Sequence, residues 1–597
     1  MDLRGVQNLP LLFFEQARRL EDKPFLWRKV DGAYRPMSWG EAARQANLMS
    51  RGLRARGIQE GDRVALIAEN RPEWLIADVA IMAAGAISVP AYTTNTVDDH
   101  RYILDNSGAK AVIVSTGKLA QRVVPAAARA PSVEFLVAIE PLAEPPRPPK
   151  RWIAWDDLLA EGEARPDDVE AVARTRRRTD TSCIIYTSGT GGAPKGVMLS
   201  HGAILCNAQG AIEVLRPLGL EDNVFLSFLP LSHAYEHSGG QFFPIAIGAQ
   251  IYYAEGADTL VQNLAEARPT IVTAVPRLYE VMHGRIVKAM EKMPGFRRRL
   301  FERTLALGRK AYERPGSLTL RERIENRVLD VVVRKKAGQR FGGRLKAFVS
   351  GGAPLNYEVG LFFTALGVRL VQGYGQTEAA PVISANLPLR IKLHTVGPPM
   401  EGVEVKLAED GEILVRGELV MQGYWGDPEA TARVLRDGWL HTADVGRIDE
   451  DGYIEITDRK RDIIVVSGGD NVSPQRIEGF LTIEPEIGKA MVVGDKRPYI
   501  AALIVPDRDW AAAWAEDKGK LPDLIDLAAD ADFRAAIQSA VDRVNRRLSA
   551  IERVREFVLI AEPFSQDNGM MTPTLKIRRH VIRETYGSKL DALYAKA

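Results

Sequence analysis

Between Arg63 and Thr116, short β-branched runs (RVALIA, 63–68; KAVIVST, 110–116) alternate with helical spacings such as the one that begins at Pro72. Such alternation predicts a mostly parallel sheet covered by helices. Strand patterns return in VFLSFLP (224–230), QIYYA (250–254), TIVTAVP (270–276), KAFVS (346–350) and VRLVQGYG (368–375), and predict a second α/β layer. Past Leu389 the pattern changes to short strands and glycine turns (GVEVKLAEDGEILVRGE, DGYIEITD), which predicts a small β-rich unit over about 390–459. After Asp458 mixed strands and helices carry their own apolar face, so a boundary is expected at Asp458 to Asp462.

The fold class expected is therefore α/β and α+β multidomain. A large N-terminal unit, 1–459, has two α/β layers and the β-rich subdomain, and a smaller mobile α+β unit covers 460–597. The Pro-rich residues 141–149 and the charged run 161–180 offer no apolar face and predict a loop or linker. The opening stretch MDLRGVQNLPLLFFEQARRL breaks its apolar run at Glu15 and has no small-residue cleavage site, which predicts an amphipathic helix rather than a signal peptide. The longest apolar stretch, Val79 to Tyr92, contains Gly85 and Pro90 and falls short of the roughly 20 residues a membrane span needs.

Charge changes the picture in one interval. The whole chain of 597 residues is nearly balanced, with 79 Lys and Arg against 77 Asp and Glu, which argues against a nucleic-acid partner. Residues 285–346 hold 19 Lys or Arg against 6 Asp or Glu, a net +13. Their helical spacing predicts inserted helices with a basic face, either simply solvated or docked on anionic lipid. The only cysteines, Cys183 and Cys206, have neither CxxC spacing nor a histidine cluster, which fits a cytoplasmic protein without disulfide or zinc.

The strongest chemical signal is YTSGTGGAPKG, 186–196, after the apolar strand SCIIYT and ahead of the helix-forming HGAILCNAQ. Strand, glycine-rich loop and helix together predict a phosphate cradle, with backbone N–H groups, hydroxyls and the Lys195 ammonium as donors. It is not a Walker A loop: Pro194 stands where the second glycine belongs and Gly196 where a Ser or Thr would bind Mg²⁺.

YTSGTGGAPKG resembles the phosphate loop of the adenylate-forming enzymes, and further motifs follow in that family's order: SGGAP (350–354), QGYGQTE (372–378), GWLHTADVG (438–446), DRKRD (458–462) and TPTLKI (572–577). The resemblance covers nearly the whole chain. It implies ATP, Mg²⁺ and coenzyme A: a carboxylate attacks the α-phosphate to give an acyl-adenylate, and the acyl group then passes to a thiol. By resemblance, Thr187, Ser188, Gly189, Thr190 and Lys195 hold the outer phosphates, Thr377 touches the α-phosphate, and Glu378 with Thr187 binds Mg²⁺. Gln372, Gly373, Tyr374 and Gly375 line the nucleotide, with Tyr374 stacked on adenine and Gly352 and Ala353 at its edge. Asp444 accepts the ribose hydroxyls beside Arg459, and Lys576 is the catalytic lysine. The hinge falls on Arg461, whose rotation would replace Lys576 with Ser467, Gly468 and Gly469 lining a pantetheine tunnel.

The stretch 270–286, the basic insertion and the TPTLK ending resemble the long-chain fatty acid:CoA ligase branch, whose members are often dimers. A membrane-dissolved substrate would make peripheral membrane contact useful. The expected acyl wall is 229–247, with His233 packed against substrate, a gate near Tyr235 to His237, and room for the chain at Gly239 and Gly240. A ligase for a shorter or non-fatty acid, or a fatty-acyl-AMP ligase that loads a carrier protein, would share the adenylation residues. Gly191 stands where the family usually has a second Thr, and Ala443 where it has Gly.

Overall fold

The computed structural model describes residues 2–142, 151–187, 193–256, 258–460, 462–467, 470–572 and 576–595. Two eight-stranded sheets form the N-terminal unit. The first runs in the order Gly423–Tyr424, Lys195–Ser200, Thr181–Thr187, Ile87–Pro90, Arg63–Ile67, Ala111–Val114, Phe135–Ala138, Arg151–Ala154. Its strands from Thr181–Thr187 onward pair in parallel, and the first two pair antiparallel. The second runs Val382–Ala385, Leu370–Gly375, Ala347–Ser350, Ile271–Ala274, Val224–Ser227, Gln250–Tyr253, Pro24–Val30, Ala33–Ser38. Its six central strands are parallel and both edges antiparallel.

Burial on both faces explains why these strands read as unbroken apolar runs. Val64 and Leu66 point into the core shared by the two sheets, whereas Ala65 and Ile67 point into a second core under the helices Val97–Ser107 and Gly117–Arg129. Phe225 and Leu226 divide in the same way between the shared core and the outer core of the second sheet. The helices Pro72–Ala83 and His201–Leu215 pack into the shared core and are buried almost all round, so neither needs a polar face.

Glu404–Leu407, Glu412–Arg416, Trp439–Ile448, Leu435–Arg436 and Ile454–Arg459 make the antiparallel β-rich unit. After residue 461 come a three-stranded sheet (Ile487–Val493, Ile500–Pro506, Val554–Leu559) and helices that include Pro474–Leu481, Ala531–Asn545 and Arg579–Tyr594. This portion has two hydrophobic clusters composed only of residues from 464 onward. The fold class read from the pattern is the one observed: a large α/β portion with mixed sheets and a smaller α+β portion. Among the described residues no helix is long and apolar enough to cross a membrane.

One sequence expectation is corrected and one is refined. The run 161–180 is not a plain linker: it completes the helix Trp155–Glu163 and forms Val169–Arg174, with Gly162, Val169 and Ala173 buried. A short helix needs only one or two inward residues per turn, too few to register against so many charges. The helix expected at HGAILCNAQ is present, but a strand that the pattern did not show precedes it. Lys195–Ser200 returns as an antiparallel strand, and the helix starts at His201 behind the Ser200 cap.

Gly162 and Gly52 let the helices Trp155–Glu163 and Trp39–Ala55 meet backbone to backbone. A Cβ on Gly162 would lie 1.9 Å from the Leu48 carbonyl oxygen. Gly162→Ala should therefore cost about 2 kcal/mol of stability through forced separation of the helices. Thermal unfolding followed by circular dichroism should show an earlier transition, and an unchanged midpoint would contradict this close packing.

Candidate active site

The candidate residues gather near the carboxyl ends of the strands Thr181–Thr187, Ala347–Ser350 and Leu370–Gly375, the usual location for a ligand in such sheets. Thr187 and Lys195 face each other as the last pair of the Thr181–Thr187 hairpin. Ser188, Gly189, Thr190 and Gly191 lie outside the described residues. Lys195 Nζ stands 4.7 Å from the centre of the Tyr424 ring, and the Tyr424 hydroxyl donates to Glu378 Oε1 at 2.8 Å. Tyr424 thus ties the phosphate hairpin to the Thr377–Glu378 segment. Composition and spacing did not single it out; its signal was GYW at 423–425, which leaves the β-rich unit to pair with Val197 and Met198.

The strand Leu370–Gly375 delivers the QGYG residues. A Cβ on Gly375 would fall 1.8 Å from the Pro381 carbonyl oxygen, so only glycine fits where the chain folds back. Gly373 faces Ala385 across the same edge pair. Gln372 turns its amide to the Leu393 carbonyl at 2.7 Å and is buried, so its side chain braces the strand. Gly352, in a left-handed conformation at φ 83°, and Ala353 form an exposed turn beyond Ala347–Ser350.

Thr377 and Glu378 sit in a short turn held from behind. Asn207 donates to the Val382 carbonyl at 2.9 Å and accepts from the Val382 N–H at 3.2 Å, Ser238 Oγ donates to the Ala380 carbonyl at 2.9 Å, and the Met421 N–H donates to the Glu378 carbonyl at 2.9 Å. Ser238 belongs to the expected acyl wall, so that segment and the turn after Thr377–Glu378 share a hydrogen bond.

Asp444 is the electrostatic centre. Its carboxylate, almost wholly buried, accepts from the Tyr374 hydroxyl at 2.7 Å and from Arg459 Nε at 2.9 Å. Two oxygens carry about four lone-pair positions, so further acceptance from a ligand remains open. The register that pairs Asp444 with Arg459 places them together. Ala443 is held at φ 59° by Glu412, which accepts its N–H at 2.8 Å, and by the Lys460 N–H, which donates to its carbonyl at 2.9 Å. That left-handed conformation is the physical reason a glycine is usual there.

Lys576 reaches this centre from the C-terminal portion. Burial, then Arg459, lowers its pKa to about 8, against the opposing pull of Asp444 and Glu378. The residue as a whole is exposed to solvent, and it is the protein packed around it that disfavours its charge. The Thr572 N–H donates to the Lys576 carbonyl at 2.8 Å and Met571 bridges Ile577, which fixes the base of the segment. His233 is near enough for Lys576 to act on it. Burial, then that charge, lowers its pKa to about 4, so the imidazole is neutral at pH 7.

The acyl wall differs from expectation in detail. The Tyr235 hydroxyl donates to the Val349 carbonyl at 2.9 Å, and fully buried His237 places Nε2 2.9 Å from Asp78 Oδ2. Both are pinned rather than free to swing. Gly240 does not leave room for a chain, because a Cβ there would lie 2.3 Å from the carboxyl carbon of Glu236. Gly239 does face Thr273 and Tyr235 at ordinary contact distance. Glu236, unmarked by the sequence reading, is fully buried and accepts from Ser227 and Thr273, both at 2.7 Å. Burial pushes its pKa up to about 7.

Arg461, Gly468 and Gly469 lie outside the described residues. Lys460 pairs with Asp410 and with Glu412 at 2.8 Å, and Asp462 approaches Arg579 at 4.0 Å. Ser467 is exposed and donates its N–H to the Arg497 carbonyl at 2.9 Å.

The lowered pKa of Lys576 gives a signed prediction. The ammonium is present below about pH 8 and is lost above it. The value of kcat/KM for ATP should therefore fall above about pH 8, and Lys576→Arg, slower throughout, should lose that limb. The same limb in Lys576→Arg would assign the ionisation to another group.

Residues 13–425 match the family described as AMP-binding enzyme, and residues 461–597 match the AMP-binding enzyme C-terminal domain. The long-chain-fatty-acid–CoA ligase FadD15 of Mycobacterium tuberculosis is 34% identical over 597 residues, which span 99% of this chain and 97% of the relative. Long chain acyl-CoA synthetase 6, peroxisomal, of Arabidopsis thaliana is 31% identical over 595 residues, 95% of this chain and 83% of the relative. The crystal structure of the anthranilate CoA ligase AuaEII with anthranoyl-AMP superposes with a TM-score of 0.74 at 23% identity, over 99% of this chain and 100% of that one. The adenylation domain of a carboxylate reductase from Mycobacterium chelonae gives 0.75 at 22%, over 99% and 92%. At such identities the structures establish the fold alone. The family matches and the relatives together establish that the chain belongs to the adenylate-forming AMP-binding enzymes, closely related to the long-chain fatty-acid–CoA ligases, and activates a carboxylic acid with ATP.

Proposed function

We propose that this protein is a long-chain fatty acid:CoA ligase. A fatty carboxylate attacks the α-phosphorus of ATP, an acyl–phosphate bond forms as the bond to pyrophosphate breaks, and the thiol of coenzyme A then displaces AMP. The observation that supports this reading is that Lys576, from the C-terminal portion, lies within electrostatic reach of Asp444, Arg459, Glu378 and His233.

In this reading Lys576 stabilises the negative charge shared by the attacking carboxylate and the α-phosphate, a group placed in advance where charge develops. Neutral His233 lines the carboxylate end of the acyl site without drawing the acid into an ion pair. Asp444 and Arg459 hold the ribose, with the Tyr374 ring fixed beside them. Thr187, Lys195 and Thr377 take the phosphates. Mg²⁺ fits the donor chemistry: one carboxylate, Glu378, with the Thr187 hydroxyl suits an ion that takes its other ligands from phosphates and water. Bound there, the ion would supply neutralisation of the pyrophosphate charge.

In this reading the reaction needs two settings of the C-terminal portion, because Lys576 must act at the α-phosphate in the first half-reaction and the thiol must approach the same acyl carbon in the second. A hinge at Arg461, between domains 1–459 and 460–597, would withdraw it and bring Ser467, Gly468 and Gly469 to the cleft. The long-chain relatives, both above 30% identity over nearly the full chain, support fatty acid and CoA as substrates.

The test is pyrophosphate and AMP release across acids from acetate to C18, with and without CoA. The expected result is turnover at least about tenfold higher per molecule of acid for C12–C18 than for acetate, equivalent to roughly 1.4 kcal/mol, with a CoA thioester as product. Acyl-adenylate that accumulates without thioester would refute CoA as acceptor, and a peak at short or aromatic acids would refute the long-chain assignment.

A further inference from the structure

The basic insertion is not uniformly basic at its surface. Leu320–Leu329, closed at its start by a Thr319–Glu322 capping box, continues through Asp330–Arg334 into Lys335–Gln339. Leu320, Ile324, Val328 and Val331 are 75, 59, 55 and 64% exposed. Spaced four, four and three residues apart, they fall on one outward strip within roughly a quarter of the helix circumference. Leu329, on the opposite side, is buried. An outward apolar strip on a helix whose other face is already packed serves no purpose in the isolated chain.

The charges are sorted about that strip. Glu322 turns inward to Lys310 at 2.9 Å, Glu325 to Arg303 at 2.7 Å, and Asp330 pairs with Arg334. Arg321, on one edge of the strip, and Arg327, on the other, are exposed and make no ion pair among the described residues. Arg323, exposed beside Arg327, donates to the Leu318 carbonyl at 3.1 Å and keeps its charge. Lys335 and Lys336 follow, both exposed. Glu322 and Glu325 are thus tied to cations of the neighbouring helix, Asp330 is exposed but paired with Arg334, and the rim left to solvent is cationic on balance. A second copy set two-fold against this strip would bring one net-cationic rim against another, so charge disfavours self-pairing. An anionic bilayer offers what the surface lacks: apolar depth for the strip and phosphates for the rim.

We infer that the helix Leu320–Leu329 lies in the plane of an anionic lipid surface, with Leu320, Ile324, Val328 and Val331 inserted and Arg321, Arg323 and Arg327 at the headgroups. The surface itself stands on the geometry. Its use, collection of acid dissolved in a bilayer, rests on the long-chain reading above.

The experiment is co-sedimentation of the full chain, without substrates, with vesicles of phosphatidylcholine alone and of phosphatidylcholine mixed with phosphatidylglycerol. Wild type should bind the anionic vesicles at least about tenfold more tightly than the neutral ones, and less tightly as salt rises. Ile324→Ser with Val328→Ser, and separately Arg321→Glu with Arg327→Glu, should each weaken binding about tenfold. Both variants should keep wild-type rates on a soluble acid, which also verifies that they fold. Undiminished vesicle binding in the two folded variants would overturn the proposal. So would a wild-type dimer in sedimentation velocity that dissociates in Ile324→Ser with Val328→Ser, since that would assign the strip to a second copy. Because vesicle binding is measured without substrate, its loss is distinguishable from failure of the long-chain assignment, which the acid panel reads separately.

Discussion

The buried carboxylate of Asp444 is the joint on which the cleft depends. It accepts from Tyr374, at the end of a sheet strand, and from Arg459, the last residue of Ile454–Arg459. One side chain therefore links the second α/β sheet, the β-rich unit and the approach to the C-terminal portion. A carboxylate so deeply buried is tolerated only when it is paired, and loss of one partner costs about 3–5 kcal/mol. The same need explains the contorted backbone beside it, where Glu412 and Lys460 hold Ala443 at a positive φ. In the proposed reading that cost returns as a rigid acceptor aimed at ribose and an electrostatic setting for Lys576.

A second constraint joins acid to phosphate. The wall helix runs from Ala234 to Ile247 with a π-helical stretch at His237–Phe242. It is anchored to the sheet by Glu236 through Ser227 and Thr273, to Pro72–Ala83 by His237 and Gln241 through Asp78, and to the turn after Glu378 by Ser238. These bonds place the 234–247 helix and the Thr377–Glu378 turn, the proposed acyl wall and phosphate-binding turn, in one frame. A π-helical stretch offsets successive side chains from ordinary helical spacing, which lets neighbouring residues reach different partners, and such stretches are frequent at functional sites.

Much of this was legible in the sequence because it rests on short-range signals. Continuous apolar runs of four to seven residues gave the buried strands, and the QGYGQTE string covers the end of one strand and the turn that follows it. What escaped depends on long-range pairing. Tyr424 reaches Glu378 only because Gly423–Tyr424 leaves its own unit to extend the first sheet. Glu236 reads as an ordinary polar residue in a wall segment until Ser227 and Thr273 are brought to it from two strands. Gly240 was read as space for substrate, but the volume it vacates is taken by that carboxyl group. The helix Val169–Arg174 was hidden because its two inward residues are outnumbered by charges.

The account makes Lys576 an agent of adenylate formation alone, carried into the cleft by one setting of the C-terminal portion. The most direct measurement separates the half-reactions in Lys576→Ala: acid-dependent exchange of pyrophosphate into ATP, and conversion of supplied acyl-adenylate and CoA to thioester. The account predicts that exchange falls at least about a hundredfold while thioester formation stays within about threefold of wild type, the first loss corresponding to nearly 3 kcal/mol of transition-state stabilisation. Equal losses in both half-reactions, or undiminished exchange, would contradict it.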